Sequence, residues 1–205
     1  MKRLLSIIFA LAGILSLHAQ GSLSPAQILA KAVSNISNSR GVEATFSVYN
    51  SGYSGKGVIK TQGNKYKVTL PDVEVWYNGK DMFTYNKRAA ETTLVTPTPE
   101  EIAETNPLVY VANARKNYNV SFSTVKKQGK YVLELTPKVK GEEVKRVTLT
   151  LNNSTFSPEK IVVEPKRGNP ITMEISSFKT GTNSSVSEFE YPKSKYPNVE
   201  IVDLR

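Results

Sequence analysis

The sequence predicts a mainly β protein: an antiparallel sheet of about eleven strands, curled or closed on itself, with a few helices to cover its opening. Three observations predict it. From Val42 onward, short runs alternate apolar and polar residues, the period of strands with one face buried and one wet. Gly and Asn turns join these runs with no crossover helices between them, so neighbouring strands run antiparallel. Only two stretches, near 24–37 and 98–114, read as helix. A sheet with so many strands must curl or close, and those two stretches alone are available to cover its opening.

The chain opens with Met1-Lys2-Arg3 and an apolar run from Leu4 to Leu17. That run is shorter than the ~20 residues a membrane span needs. Leu17-His18-Ala19 puts apolar and small residues where a signal peptidase reads. Residues 1–19 are therefore expected to be a signal peptide cleaved after Ala19, with 20–205 one exported, periplasmic domain; an N-terminal anchor is the alternative. Absence of Cys removes disulfides, thiol chemistry and Cys-linked lipid anchoring. The net charge is +9, and loss of Lys2 and Arg3 would leave about +7. The basic residues are spread out, with none of the dense or aromatic-interleaved stripes of nucleic-acid binders. They read as a solvated strand face or as a surface for anionic membranes or an acidic partner.

Taken in order, Ser24-Pro25-Ala26-Gln27 is a capping box with Pro at the first helical position. Ile28, Leu29, Ala32, Val33 and Ile36 form one apolar stripe, and Gly41 suits a helix stop. Strands follow: Val42, Ala44, Phe46 and Val48 on one face, a run over 57–62, then Tyr66, Val68 and Leu70. Asn78-Gly79 marks a hairpin between the two short β-runs that flank it. A two-residue turn there would place Trp76 with Phe83 and Tyr85. A three-residue turn with Gly79 in a bulge would group Val73, Val75, Phe83 and Tyr85 and leave Trp76 outside or at the rim. The second gives the cleaner apolar face and is the register expected.

A run at 90–95 precedes Thr98-Pro99-Glu100-Glu101, a helix start. Pro107, Leu108, Val109, Tyr110 and Val111 are apolar nearly all round, so this piece is either wholly buried or a movable plug. Further strands are read at 119–126, at Tyr131, Leu133 and Leu135, and at Val147, Leu149 and Leu151. The last are read at Ile161 and Val163, at Ile171, Met173 and Ile175, and at 199–204.

The only histidine, His18, lies in the leader, so the domain lacks both His and Cys. That excludes Ser-His-Asp and Cys-His nucleophiles and His-bearing zinc sites. Glu100, Glu101 and Glu104 sit where a helix start favours negative charge. No Gly-rich phosphate loop is present. The reading is a non-enzyme with no metal and no cofactor. Its apolar concave face exceeds what two short helices fill, which leaves a pocket. The expected lining is Phe46, Tyr66, Val68, Leu70 and Val75, with Phe83, Tyr85, Leu133, Leu135, Leu149 and Met173. The expected lid is Pro107–Val111.

The stretch Trp76-Tyr77-Asn78-Gly79-Lys80-Asp81-Met82-Phe83-Thr84-Tyr85-Asn86 resembles a hairpin of the LolA-like outer-membrane lipoprotein carrier family. Thr98-Pro99-Glu100-Glu101, Asn106-Pro107 and Leu135-Thr136-Pro137-Lys138 continue the resemblance. It implies an unclosed barrel whose cavity holds the acyl chains of lipoproteins, moved through the periplasm as a monomer. The implied partners are acylated lipoproteins, an inner-membrane ABC-type transporter and an outer-membrane receptor or lipid surface, with no nucleic acid. The alternative on the same fold is a lipid- or lipoprotein-sensing regulator. Such relatives carry a second domain, for which a chain ending at Arg205 is expected to leave no room. The family's lid-holding Arg before a Pro has no counterpart in Gln62-Gly63-Asn64.

Overall fold

The computed structural model describes residues 22–37, 39–139 and 143–205; the expected leader, Met1–Ala19, lies outside them. Helix α1 (Pro25–Ser37) starts as expected, with Gln27 N–H donating to Ser24 Oγ and Ser24 N–H to Gln27 Oε1. Strands β1 (Val42–Asn50), β2 (Tyr53–Gln62), β3 (Lys65–Thr69), β4 (Val73–Tyr77), β5 (Met82–Asn86) and β6 (Glu91–Val95) follow as a meander. Three short helices come next: α2 (Pro99–Thr105), α3 (Leu108–Ala112) and α4 (Ala114–Asn117). Then come β7 (Tyr118–Phe122), β8 (Lys130–Pro137), β9 (Val144–Asn152), β10 (Pro158–Pro165), β11 (Ile171–Thr180) and β12 (Glu200–Asp203).

All twelve described strands form one sheet, ordered β12-β6-β5-β4-β3-β2-β1-β11-β10-β9-β8-β7. β7 and β12 are its edges, so the barrel is unclosed, as expected. One pairing departs from the expected antiparallel pattern: β12 runs parallel to β6. After β11 the chain crosses the outside of the sheet lengthwise, so it joins β6 from the end where β6 begins. Bulges shift the register between Thr45 and Phe46 on β1, and between Glu164 and Pro165 on β10. Such bulges add the bend that curls a sheet.

The strand directions define two ends. At the rim end lie the β1–β2, β3–β4, β5–β6, β8–β9 and β10–β11 turns. They are tied by Lys87 N–H to Asp72 O (2.8 Å) and Lys166 N–H to Glu143 O (2.7 Å). At the base end lie the β2–β3, β4–β5, β7–β8 and β9–β10 turns.

Half of the inner face is solid. α1 buries Ile28, Leu29 and Ala32 and packs against β7, α3 and α4. Leu133, Leu135, Leu149, Leu151 and Ile161 from β8, β9 and β10 are fully buried in the same core. The outer face carries a second apolar layer, which the sequence reading did not anticipate. The segment after β11 includes 3-10 turns at Val186–Phe189 and Lys193–Lys195 and crosses β2 to β6 as a strap. It lays Tyr191 and Tyr196 over Trp76, at centroid distances of 5.4 and 6.1 Å. Polar ties pin it: Ser184 N–H to Gln62, Lys60 to Glu188, Asn78 to Glu190, and Thr92 Oγ1 to Tyr191 Oη (3.0 Å).

Candidate functional site: an apolar cavity under a lid

The inner residues of β1, β3, β4 and β11 do not all meet a helix. Between them and α2 lies an apolar cavity of about 300 Å³. Phe46 and Val48 come from β1, Val68 and Leu70 from β3 and its turn, and Val73 and Val75 from β4. Ile171 and Met173 close it from β11, Tyr53 stands at its rim-end mouth, and Glu104, Thr105 and Pro107 of the lid roof it. β2 contributes room by omission. A Cβ on Gly57 would sit 2.5 Å from Thr69 O and 2.8 Å from Leu70 Cδ2, so only Gly lets that side chain lie across β2.

Of the residues expected to line a cavity, the structure brings together Phe46, Val68, Leu70, Val75 and Met173. Leu133, Leu135 and Leu149 are fully buried in the solid half instead. Tyr66 is buried below the cavity and takes a different role, described below. Phe83 and Tyr85 lie on the opposite, outer face. Phe83 stacks on Tyr191 at 5.1 Å and Tyr85 packs on Tyr196 at 4.5 Å. Trp76 is outside the cavity, on the same outer face as Phe83, yet only 1% exposed because the strap covers it.

The turn explains these corrections. Asn78 N–H donates to Asp81 O, and Asn78 Oδ1 accepts from the N–H groups of Lys80 and Asp81. Gly79, at φ +99°, and Lys80 are thus the two central residues, and Trp76 pairs with Phe83. A one-residue change of register exchanges the faces of a strand. Val73 and Val75 stay inside, Thr84 joins them, and Phe83 and Tyr85 turn outward.

The lid begins as its sequence indicates. Thr98 accepts from Glu101 N–H (3.2 Å), Glu101 accepts from Thr98 N–H (2.8 Å), and Pro99 opens α2. Asn106 then accepts from Leu108 N–H across the break between α2 and α3. Residues 107–111 are not wholly buried. Leu108 and Val111 are buried in the core with α1 nearby, whereas Val109 and Tyr110 are half-buried and wall a second cleft. That cleft, about 390 Å³, lies between the lid and Val144, Val163 and Ile171. Glu104 and Ile171 border both spaces.

Gln62-Gly63-Asn64 engages the strap and the β4–β5 turn, not the lid. The lid is tied by Tyr66, whose Oη lies 2.6 Å from Thr105 Oγ1. Thr105 Oγ1 also donates toward Glu101 O (3.0 Å) and sits beside Met82 Sδ. Burial pushes the Tyr66 phenol up to about 12, against the pull of its Thr105 bond, so it stays neutral at any ordinary pH. Its inward position on β3 was legible in the sequence; its hydrogen-bonding partner, 39 residues away, was not.

Nothing in this site supplies a nucleophile with a base. Among the described residues no group of three or more His, Cys, Asp or Glu converges as a metal site, and no helix is long and apolar enough to cross a membrane. A concavity of about 580 Å³ lies on the outer face and is lined by Lys130, Glu159, Lys160, Glu174 and several Ser and Thr. Lys130 pairs with Glu159 and Lys160 with Glu174, which fits a solvated wall better than a ligand site.

The described residues thus form an unclosed twelve-stranded sheet with an apolar inner cavity beneath short helices. The family model described as outer membrane lipoprotein carrier protein LolA matches residues 15–168, and the chain belongs to that family. No curated protein matches it. Among solved structures, it is similar to an uncharacterized conserved protein from Thermus thermophilus. Identity is 13%, TM-score 0.57, covering 87% of this chain and 98% of that one. A LolA superfamily protein from Nitrosomonas europaea is 15% identical at TM-score 0.44, covering 83% and 99%. A DUF1329 family protein from Desulfovibrio piger is 14% identical at TM-score 0.48, covering 83% and 98%.

Proposed function

We propose that this protein is a periplasmic, non-enzymatic carrier that shelters the acyl chains of lipoproteins between the inner and outer membranes. The observation that carries the reading is the apolar cavity beneath a lid tied to the sheet by the neutral Tyr66–Thr105 bond. Its volume sits at the low end of the ~300–1,000 Å³ of ligand pockets. Loading of more than a short chain therefore requires the lid to shift. Displacement of α2 joins the cavity to the second cleft, since Glu104 and Ile171 border both. On this reading residues 1–19 direct export. An inner-membrane ABC-type transporter supplies the cargo and an outer-membrane receptor or lipid surface receives it.

Native mass spectrometry of protein purified from a periplasmic extract tests the reading. Adducts with the mass of acylated peptides or lipoproteins, lost on delipidation, are expected. Protein that stays apo and also fails to bind a fluorescent fatty acid would refute it. Recovery of a membrane-protein partner in place of lipoproteins would instead mark a regulator.

A further inference from the structure

We propose that the rim end of the barrel docks, mouth first, on an anionic lipid bilayer. The proposal rests on reading the clefts as acyl-chain sites, and its test separates the two. The folding of α4 against two turns gathers six cations: Arg115, Lys116, Lys138, Lys145, Lys166 and Arg167. Lys138 N–H donates to Asn117 O (2.9 Å), and its ammonium caps α4 at Arg115 O (2.9 Å) and Lys116 O (3.2 Å). Lys166 N–H binds Glu143 O, which joins the β10–β11 turn to the β8–β9 turn. All six are exposed. Among the described residues none has a carboxylate within 4.0 Å. The acidic residue described on these turns is Glu143; in the sequence Lys140 and Glu142 offset each other. On the outer wall, by contrast, Lys60, Lys130, Arg146 and Lys160 are each paired with a glutamate.

This basic lip borders the second cleft, whose wall includes Asn117, Glu143 and Pro165. The same end carries exposed apolar and amphipathic tips. Val139 is 66% exposed on the β8–β9 turn, and Tyr49 and Tyr53 are 43% and 38% exposed on the β1–β2 hairpin, Tyr53 also lining the first cavity. Cations beside exposed tyrosines and a valine match a headgroup layer, where the charge meets anionic lipid and the rings sit at the interface. An acidic protein would account for the lysines but not for the apolar tips beside them. Tyr53, Leu70 and Val73 of the first cavity and Asn117, Glu143 and Pro165 of the second cleft belong to this end, so docking there brings both spaces to the bilayer that supplies or accepts acyl chains.

Co-sedimentation of the purified protein with vesicles tests the inference. It is expected to bind phosphatidylcholine vesicles containing phosphatidylglycerol, to ignore pure phosphatidylcholine, and to release with added salt. Lys166→Glu/Arg167→Glu is expected to weaken binding about tenfold. The charge-matched pair Lys126→Glu/Lys127→Glu, on the base-end β7–β8 loop, is expected to change it by less than about twofold. Fluorescent fatty-acid binding by both variants should equal that of the parent, which shows each folded. The inference is overturned by no binding to anionic vesicles, by equal losses in the two variants, or by binding indifferent to the rim pair. Loss of fatty-acid binding in the parent with vesicle docking intact would refute the carrier reading and leave the docking surface standing.

Discussion

Tyr66 is the side chain that ties α2 to the sheet. Its hydroxyl meets Thr105, which keeps carbonyl partners within its own helix, so Tyr66→Phe strands little. The expected cost is about 1 kcal/mol in urea unfolding, with faster protease cleavage in 98–112 and quicker exchange of a fluorescent fatty acid. The phenol is raised in the folded state from 10.0 to about 12. Folded protein therefore holds this proton more tightly than unfolded chain. The associated stability is complete below about pH 10 and is lost as pH rises toward 12; Tyr66→Phe should flatten that alkaline limb. Val48 and Leu149 separate cavity from core. Val48→Trp projects into the open space and should lower fatty-acid affinity about tenfold or more while the fold survives. Leu149→Ala hollows the solid half, at about 2–5 kcal/mol, and should leave affinity within about twofold. Equal effects of the two on binding would show that the spaces are not distinct.

The strap is the element with the clearest electrostatic signature. The bond from Lys60 holds the Glu188 carboxyl below its ordinary 4.5, so that contribution is present above the ordinary value. It is lost as pH falls through the lowered one. Trp76, the only tryptophan, lies under the strap and reports on it. Acidification below about pH 4.5 should expose Trp76 and red-shift its emission before the far-UV signal changes. Glu188→Gln removes that titration, so it should flatten the transition and leave Trp76 more exposed already at neutral pH. A tryptophan signal that moves only with global unfolding would show that the strap has no separate stability.

At the scale of the whole molecule, hydrophobic alternation and turn chemistry were enough to read the strands, the capping boxes and their joining into one curled sheet, because these depend on near neighbours in sequence. The inward residues of β1, β3 and β4 followed from the same alternation. What escaped were facts set by distant parts of the chain. A strand with aromatic residues on one face and valines on its neighbour's looks buried on either side until something covers the outside. Here Tyr191 and Tyr196, more than a hundred residues on, cover it, so the outward choice for Phe83 and Tyr85 loses nothing. The parallel seating of β12 and the Tyr66–Thr105 tie have the same origin. The division of the molecule into a lidded cavity inside and a sealed aromatic layer outside is the central claim. A photo-crosslinking residue placed in cells at Val68 tests it most directly, with Phe83 as its counterpart. Val68 should trap lipoproteins and Phe83 should trap none; the reverse pattern, or equal capture from both, would contradict the account.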